Sequence, residues 1–141
     1  VEELALYVIP YQISVGKMSI VVDSITTAGS RDVAIYPLDG SYQIASTTIS
    51  MTAVGVASST FTAVTLNPGL YYIGFIENGT TNVGAHFYTR ANVAGTLTTI
   101  GNEPRYYAEI TGQPAGELVT SFNPLTMGIT DQLAQYIRLD N

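Results

Sequence analysis

Apolar and polar side chains alternate with a period of two along most of this 141-residue chain. The stretch "KMSIVVDSI" places Met18, Ile20 and Val22 on one face, and "RDVAIYP" continues the same alternation up to Pro37. An amphipathic helix would instead repeat its apolar positions every three to four residues. The pattern therefore predicts β-strands rather than helices, and each strand is expected to bury one face.

Turn-forming residues interrupt this alternation about every 8–12 residues, a spacing typical of antiparallel sandwiches and barrels. We predict an all-β fold: an antiparallel two-sheet β-sandwich, jelly-roll-like, with eight to ten strands. The weakest of these strands are expected at residues 118–122 and 134–139. The predicted core consists of apolar residues that share a strand face, namely Ile20, Val22, Val33, Ile35, Phe61, Ile73 and Phe75.

The stretch "YQIASTTISM" changes the phase of its apolar positions partway along. Tyr42 and Ile44 occupy even positions, whereas Ile49 and Met51 occupy odd ones. Because an extra residue in one strand shifts all later side chains to the opposite face, we predict a β-bulge near residues 46–48.

The strand Leu70–Ile76 is apolar on both faces and follows the turn sequence Asn67-Pro68-Gly69. One explanation is a central strand whose second face is covered by residues 91–104 or by the C-terminal tail. The other explanation is contact with a neighbouring subunit. In that case Tyr72 and Ile76 are the candidate interface residues.

The charge of the chain limits its possible partners. Only 11% of the residues are charged, against about 25% in typical domains, and the net charge is −6. Five basic residues scattered along the chain do not form a cluster that could neutralise phosphates, so we expect no nucleic-acid partner. No apolar run reaches the roughly 18 residues of a membrane-spanning helix, so no membrane insertion is expected. The length suits a single domain over residues 1–141, either complete or part of a longer protein.

Residues that could support catalysis are scarce. The chain contains one histidine, His86, and no cysteine, and no serine lies in a G-x-S-x-G setting. We therefore predict no catalytic residues, no metal site and no cofactor, with His86 in a structural or surface role. Tyrosine is the enriched residue type, and its flat ring with a polar tip suits recognition. The segment Arg105, Tyr106 and Tyr107 is the candidate ligand-binding site, since one ring of a tyrosine doublet should face outward.

Two stretches carry a resemblance to a known family. Residues 4–40, "LALYVIPYQISVGKMSIVVDSITTAGSRDVAIYPLDG", and residues 65–75, "TLNPGLYYIGF", resemble a β-sandwich domain of tail-fibre and other tail structural proteins of tailed bacteriophages. The closing "AQYIRLDN" is similar to the last strand of such domains. The chain departs from the family pattern at Tyr72, where a tryptophan is common.

The resemblance implies a non-enzymatic virion protein located at the tail or capsid surface. The expected partners are other virion proteins, further copies of the chain, with a trimer as the first expectation, and a host-surface glycan or protein. Two alternatives remain open at this stage. The domain could be a capsid decoration protein, or it could be a carbohydrate-binding module of a secreted enzyme.

Overall fold

The computed structural model describes residues 2–79, 82–85, 107–129 and 137–141. These ranges contain ten β-strands, and most of their connections cross from one sheet to the other. The strands are β1 (Glu2–Ile9), β2 (Ile13–Thr27), β3 (Gly29–Pro37), β4 (Ala45–Met51), β5 (Gly55–Leu66), β6 (Gly69–Asn78), β7 (Asn82–Ala85), β8 (Tyr107–Ile110), β9 (Gly128–Ile129) and β10 (Ile137–Asp140).

The strands form two antiparallel sheets. The large sheet has six strands in the order β4-β3-β6-β1-β8-β9, and the small sheet has β10-β2-β5, with β7 also paired to β2. The all-β, antiparallel two-sheet sandwich predicted from the sequence is therefore confirmed. The described part of β10 overlaps the strand predicted at residues 134–139, whereas residues 118–122 are not a strand.

The main hydrophobic core lies between the two sheets and contains residues from both. Every predicted core position belongs to it, although Phe61 is only half-buried. Its fully or nearly fully buried members are Ile9, Val15, Met18, Ile20, Val22, Val33, Ile35, Ile49, Met51, Leu66, Ile73, Phe75 and Ile137. Alternation along parts of β2 and β3, as at Met18, Ile20 and Val22 and at Val33 and Ile35, contributes to this core, because only one strand face points at the opposite sheet.

A second hydrophobic cluster covers the outer face of the large sheet, which points away from the small sheet. Residues 111–127, here called the cover segment, connect β8 to β9 and contribute Leu118, Val119, Phe122 and Met127 to this cluster. Two backbone hydrogen bonds attach the segment to the sheet, from Gly116 N to Glu77 O at 3.0 Å and from Phe122 N to Gly40 O at 2.8 Å. The centre of the large sheet is thus buried on both faces, whereas Val8 and Leu70 at its outer face stay exposed.

The β-bulge predicted near residues 46–48 is wrong. The register between β3 and β4, which is described over its full length, runs from Gly29↔Met51 to Ile35↔Ala45 without a shift. The apolar phase changes because Ile44 lies before the strand, with its N–H bonded to Ile35 O at 2.8 Å. Register shifts occur instead along β2, for example between Val15 and Lys17.

Candidate functional site

An open apolar groove of about 540 Å³ lies where the end of β3 meets the cover segment. One wall contains Pro37, Leu38 and Asp39, and the other contains Asn123, Pro124 and Leu125. The first wall continues from the end of β3 and the second belongs to the cover segment, and the hydrogen bond from Phe122 N to Gly40 O joins them.

Gly40 holds the two walls together. Its N–H donates to Pro37 O at 2.9 Å, and its φ of 66° lies in the left-handed region that favours glycine. A Cβ atom at this position would lie 2.4 Å from Phe122 O, so the contact between the walls also requires the missing side chain. A substitution at Gly40 would therefore separate the walls of the groove.

Asp39 places a negative charge at one rim of the groove. Its Oδ1 accepts hydrogen bonds from Ser41 N at 3.0 Å and from Ser41 Oγ at 2.6 Å. These bonds to the charged form lower the pKa of Asp39, so the carboxylate is ionised at neutral pH. The charge is fixed in position by the turn rather than free to rotate.

The second wall is a turn that presents one apolar side chain to solvent. Asn123 Oδ1 accepts from Leu125 N at 3.0 Å, and Asn123 O accepts from Thr126 N at 3.1 Å. Pro124 is buried, whereas Leu125 is 52% exposed. Leu125 therefore adds exposed apolar surface at the rim of the groove.

The chemistry of the groove is that of binding. Its lining contains one carboxylate and one amide among four apolar residues, and a volume of 540 Å³ falls in the usual range for ligand pockets. In the part of the chain that the structure describes, no group of three or more histidine, cysteine, aspartate or glutamate residues is arranged to hold a metal ion.

The candidate interface residues Tyr72 and Ile76 are buried in the interior of the subunit. Tyr72 is 0% exposed and Ile76 is 2% exposed. The Phe122 ring of the cover segment packs edge-on against Tyr72 with ring centroids 5.4 Å apart. The second face of β6 is therefore covered within the subunit, which argues against a subunit interface at these side chains. The cover comes from residues 111–127, whereas the predicted cover at residues 91–104 lies outside the described residues.

The expectation for the tyrosine doublet fails at Tyr71 and Tyr72. The two rings do point to opposite faces of β6, but Tyr71 packs against the main core and Tyr72 lies under the cover segment. Tyr72, the ring that points away from the main core, is fully buried and therefore unavailable for recognition, whereas Tyr71 is half-buried. The tyrosines that are largely exposed among the described residues are Tyr11 and Tyr42, which lie in turns.

The candidate ligand-binding segment is only partly described. Arg105, Tyr106 and His86 lie outside the described residues, and their predicted roles stay predictions. The backbone of Tyr107 begins β8 and pairs with Ala5 of β1.

Sequence reasoning missed the groove, although both of its walls contain turn signals. "PLDG" and "NPL" each combine proline with aspartate or asparagine beside a leucine. A leucine inside each turn sequence could have indicated an apolar surface, since turn residues usually remain exposed.

Comparisons of the chain with protein-family models, with curated proteins and with solved structures find no match. Within the described ranges, no helix has the length and apolar character needed to cross a membrane.

Proposed function

We propose that the protein is a non-enzymatic structural protein of a tailed-bacteriophage virion, with a tail-fibre-like role in attachment or host-surface recognition. The resemblance of residues 4–40 and 65–75 to phage tail domains supports this role, and the antiparallel sandwich is compatible with it. The apolar groove beside Leu125 is the observation that carries the proposal, because it offers a surface for binding and no catalytic pair.

Another virion protein is the favoured occupant of the groove. The lining residues Pro37, Leu38, Pro124 and Leu125 suit an apolar side chain, and Asp39 suits a neighbouring lysine or arginine. Sugar-binding platforms generally use aromatic rings, and the described lining of this groove contains none. The lining therefore favours a protein partner over the carbohydrate-binding alternative.

Self-association remains part of the proposal, with a trimer as the first expectation. The apolar second face of β6 no longer supports it, because Tyr72 and Ile76 are buried within the subunit. The remaining support from the sequence is the resemblance to fibre proteins. The exposed neighbours Val8 and Leu70, which pair across β1 and β6, offer apolar surface for such contacts.

Locating the protein on particles tests the proposal. Antibodies against the purified domain should label the tails of the phage or prophage particles whose genome encodes it. Labelling of capsids would favour the decoration role instead. Unlabelled particles, combined with specific retention on a glycan array, would contradict the proposal and favour a carbohydrate-binding module.

A further inference from the structure

Glu2 is a carboxylic acid buried at the seam between the large sheet and the cover segment. Its side chain lies on the outer face of β1 and is 0% exposed. Gly74 of β6 leaves the space for it, since a Cβ at this position would lie 2.6 Å from Glu2 Oε1. The sequence shows only an acidic residue in a predicted strand, so its burial is a tertiary effect.

Glu2 links β3 to the cover segment through hydrogen bonds. Its Oε2 accepts from Val119 N at 2.8 Å, and its Oε1 lies 2.8 Å from the hydroxyl oxygen of Tyr36. The same hydroxyl oxygen lies 2.8 Å from Val119 O, which also accepts from Gln43 Nε2 at 2.7 Å. The cover segment is therefore held at Val119 through both its N–H and its carbonyl.

The protons in this network can be counted. The Tyr36 hydroxyl oxygen lies 2.8 Å from both Glu2 Oε1 and Val119 O, and a well-aligned hydrogen bond along each contact needs its own proton. A tyrosine hydroxyl carries only one proton, and the carbonyl of Val119 carries none. A neutral Glu2 supplies the second proton. In that state Glu2 would donate from Oε1 to Tyr36, while Tyr36 donates to Val119 O and Val119 N donates to Oε2.

We propose that Glu2 is a neutral carboxylic acid in the closed domain and acts as a pH-sensitive latch, whose ionisation releases the cover segment from the outer face of the large sheet. Ionisation removes the proton shared with Tyr36 and leaves a charge among apolar groups, which is costly in a buried site. Opening the cover segment at Val119 returns that charge to water. This inference does not depend on the virion role.

The electrostatic surroundings of Glu2 agree with a neutral acid. Burial raises the pKa of Glu2 above the ordinary value of 4.5, and the hydrogen bonds with Val119 and Tyr36 lower the pKa by less. Burial and the neighbouring Glu2 also raise the pKa of Tyr36, so Tyr36 stays a donor.

No other described charge faces Glu2 closely. Asp32 of β3 shares the outer face, but it is paired with Ile76 of β6 and lies about two strand spacings, or roughly 10 Å, from β1. Glu117 of the cover segment is exposed. Glu3 and Glu109 follow the opposite phase of β1 and β8 and face the other side of the sheet.

The direction of the pH effect follows from the two states. The closed state binds the Glu2 proton more tightly than the open state, where the pKa is near 4.5. The equilibrium constant for opening therefore rises about tenfold per pH unit between 4.5 and the closed-state pKa, and is constant above it. The cover segment is held most firmly in acid.

Hydrogen exchange of the intact protein tests the latch, with the exchange rate read from the proteolytic fragment that covers residues 111–127. The wild-type rate is divided by the rate in Glu2→Gln at the same pH, so that the chemical exchange rate cancels. Gln supplies an N–H donor to Tyr36 and a carbonyl acceptor to Val119 at every pH. We expect a ratio near one at pH 4 and a tenfold rise per pH unit above 4.5 until the closed-state pKa. A ratio that stays near one from pH 4 to pH 8 would overturn the proposal.

A matched variant and a second measurement allow the proposal to be tested even if Glu2→Gln does not fold. Glu3→Gln changes the adjacent acid on the opposite strand face and should keep the wild-type pH dependence. Loss of that pH dependence in Glu3→Gln would show that Glu3, and not Glu2, is responsible, and would overturn the proposal. In the unmodified protein, a carbon-13 titration of the Glu2 carboxyl should give a midpoint above 4.5. A midpoint at or below 4.5 would overturn the latch directly.

Discussion

Gly74 shows how a single missing side chain shapes this molecule. It lies in the middle of β6, where glycine is normally unfavourable, and its backbone is not in the left-handed region. A Cβ there would lie 2.6 Å from Glu2 Oε1, 2.8 Å from Leu4 Cδ2 and 3.1 Å from Tyr36 Cε2. The glycine is required for space, because three side chains converge over it.

We expect Gly74→Ala to destabilise the fold by about 1–3 kcal/mol, the usual cost of an extra methyl group in a packed core. Gly16→Ala is the matched control, because its new Cβ would lie 3.3 Å from Ala63 Cβ, which is tight but tolerable with a small adjustment. The control should change stability by less than about 1 kcal/mol, because the lower conformational entropy of unfolded alanine offsets the cost of the tight contact. Urea denaturation of both variants measures the difference, and equal losses would show that the space at Gly74 is not critical.

At the scale of strands, charged residues of β1, β3, β6 and β8 lie together on the inner face of the large sheet, the face that points toward the small sheet. Arg31 is 4% exposed and lies 2.7 Å from Glu77 Oε1, with its guanidinium 5.4 Å from the centre of the Phe75 ring. Burial raises the pKa of Glu3, Arg31 lowers it, and Glu77 and Glu109 raise it. One arginine thus moderates the repulsion among three carboxylates.

Arg31→Met should lower the free energy of unfolding by roughly 2–3 kcal/mol at pH 7. This loss is below the range of about 3–5 kcal/mol for fully buried pairs, because Glu77 remains partly in contact with water. Glu3 already has a raised pKa when folded, so its contribution to stability falls as the pH rises above 4.5. Without Arg31 the folded pKa rises further, and the fall should extend to higher pH.

Thermal unfolding of Arg31→Met from pH 4 to pH 8 measures both effects, with Arg138→Met as the control. Arg138 is 57% exposed in its pair with Asp140, so its removal should cost less than about 1 kcal/mol. If the wild type and Arg31→Met differ by the same amount at every pH, the coupling between Arg31 and Glu3 is absent.

The sequence predicts the strands of this molecule better than its cover segment. β2 and β3 could be predicted because apolar–polar alternation is a local property of the chain, and β6 because a continuous apolar run follows a turn sequence. The weak strand predicted at residues 118–122 is absent, because this segment is irregular and is placed by contacts of Val119 with Tyr36 and Glu2. The groove has the same origin, because its two walls are distant in sequence and meet through Gly40 and Phe122.

At the scale of the whole molecule, the low charge has an explanation within a single subunit. The exposed side of β5 carries Ser58, Thr60, Thr62 and Thr65, whose hydroxyl groups keep an uncharged strand hydrated. Low charge alone therefore does not require a covering partner. Surfaces for assembly are better sought where large apolar side chains are exposed, as Leu125 is beside the groove.

Three variants separate the covered face of the large sheet from the proposed docking surface. Tyr72→Glu places a charge in a fully buried site and should cost more than about 4 kcal/mol, so we expect the domain to unfold. Leu125→Glu changes a residue that is 52% exposed and should alter stability by less than about 0.5 kcal/mol. It should nevertheless reduce incorporation into particles at least tenfold. The new carboxylate repels the Asp39 carboxylate, and removing it from water when a partner binds is costly. Val54→Glu, at an exposed apolar position in the β4–β5 turn, is the control and should fold and be incorporated normally. Circular dichroism and the amount of protein that purifies with particles measure these outcomes. A folded Tyr72→Glu would contradict the burial of that face, and normal incorporation of Leu125→Glu would contradict docking at the groove.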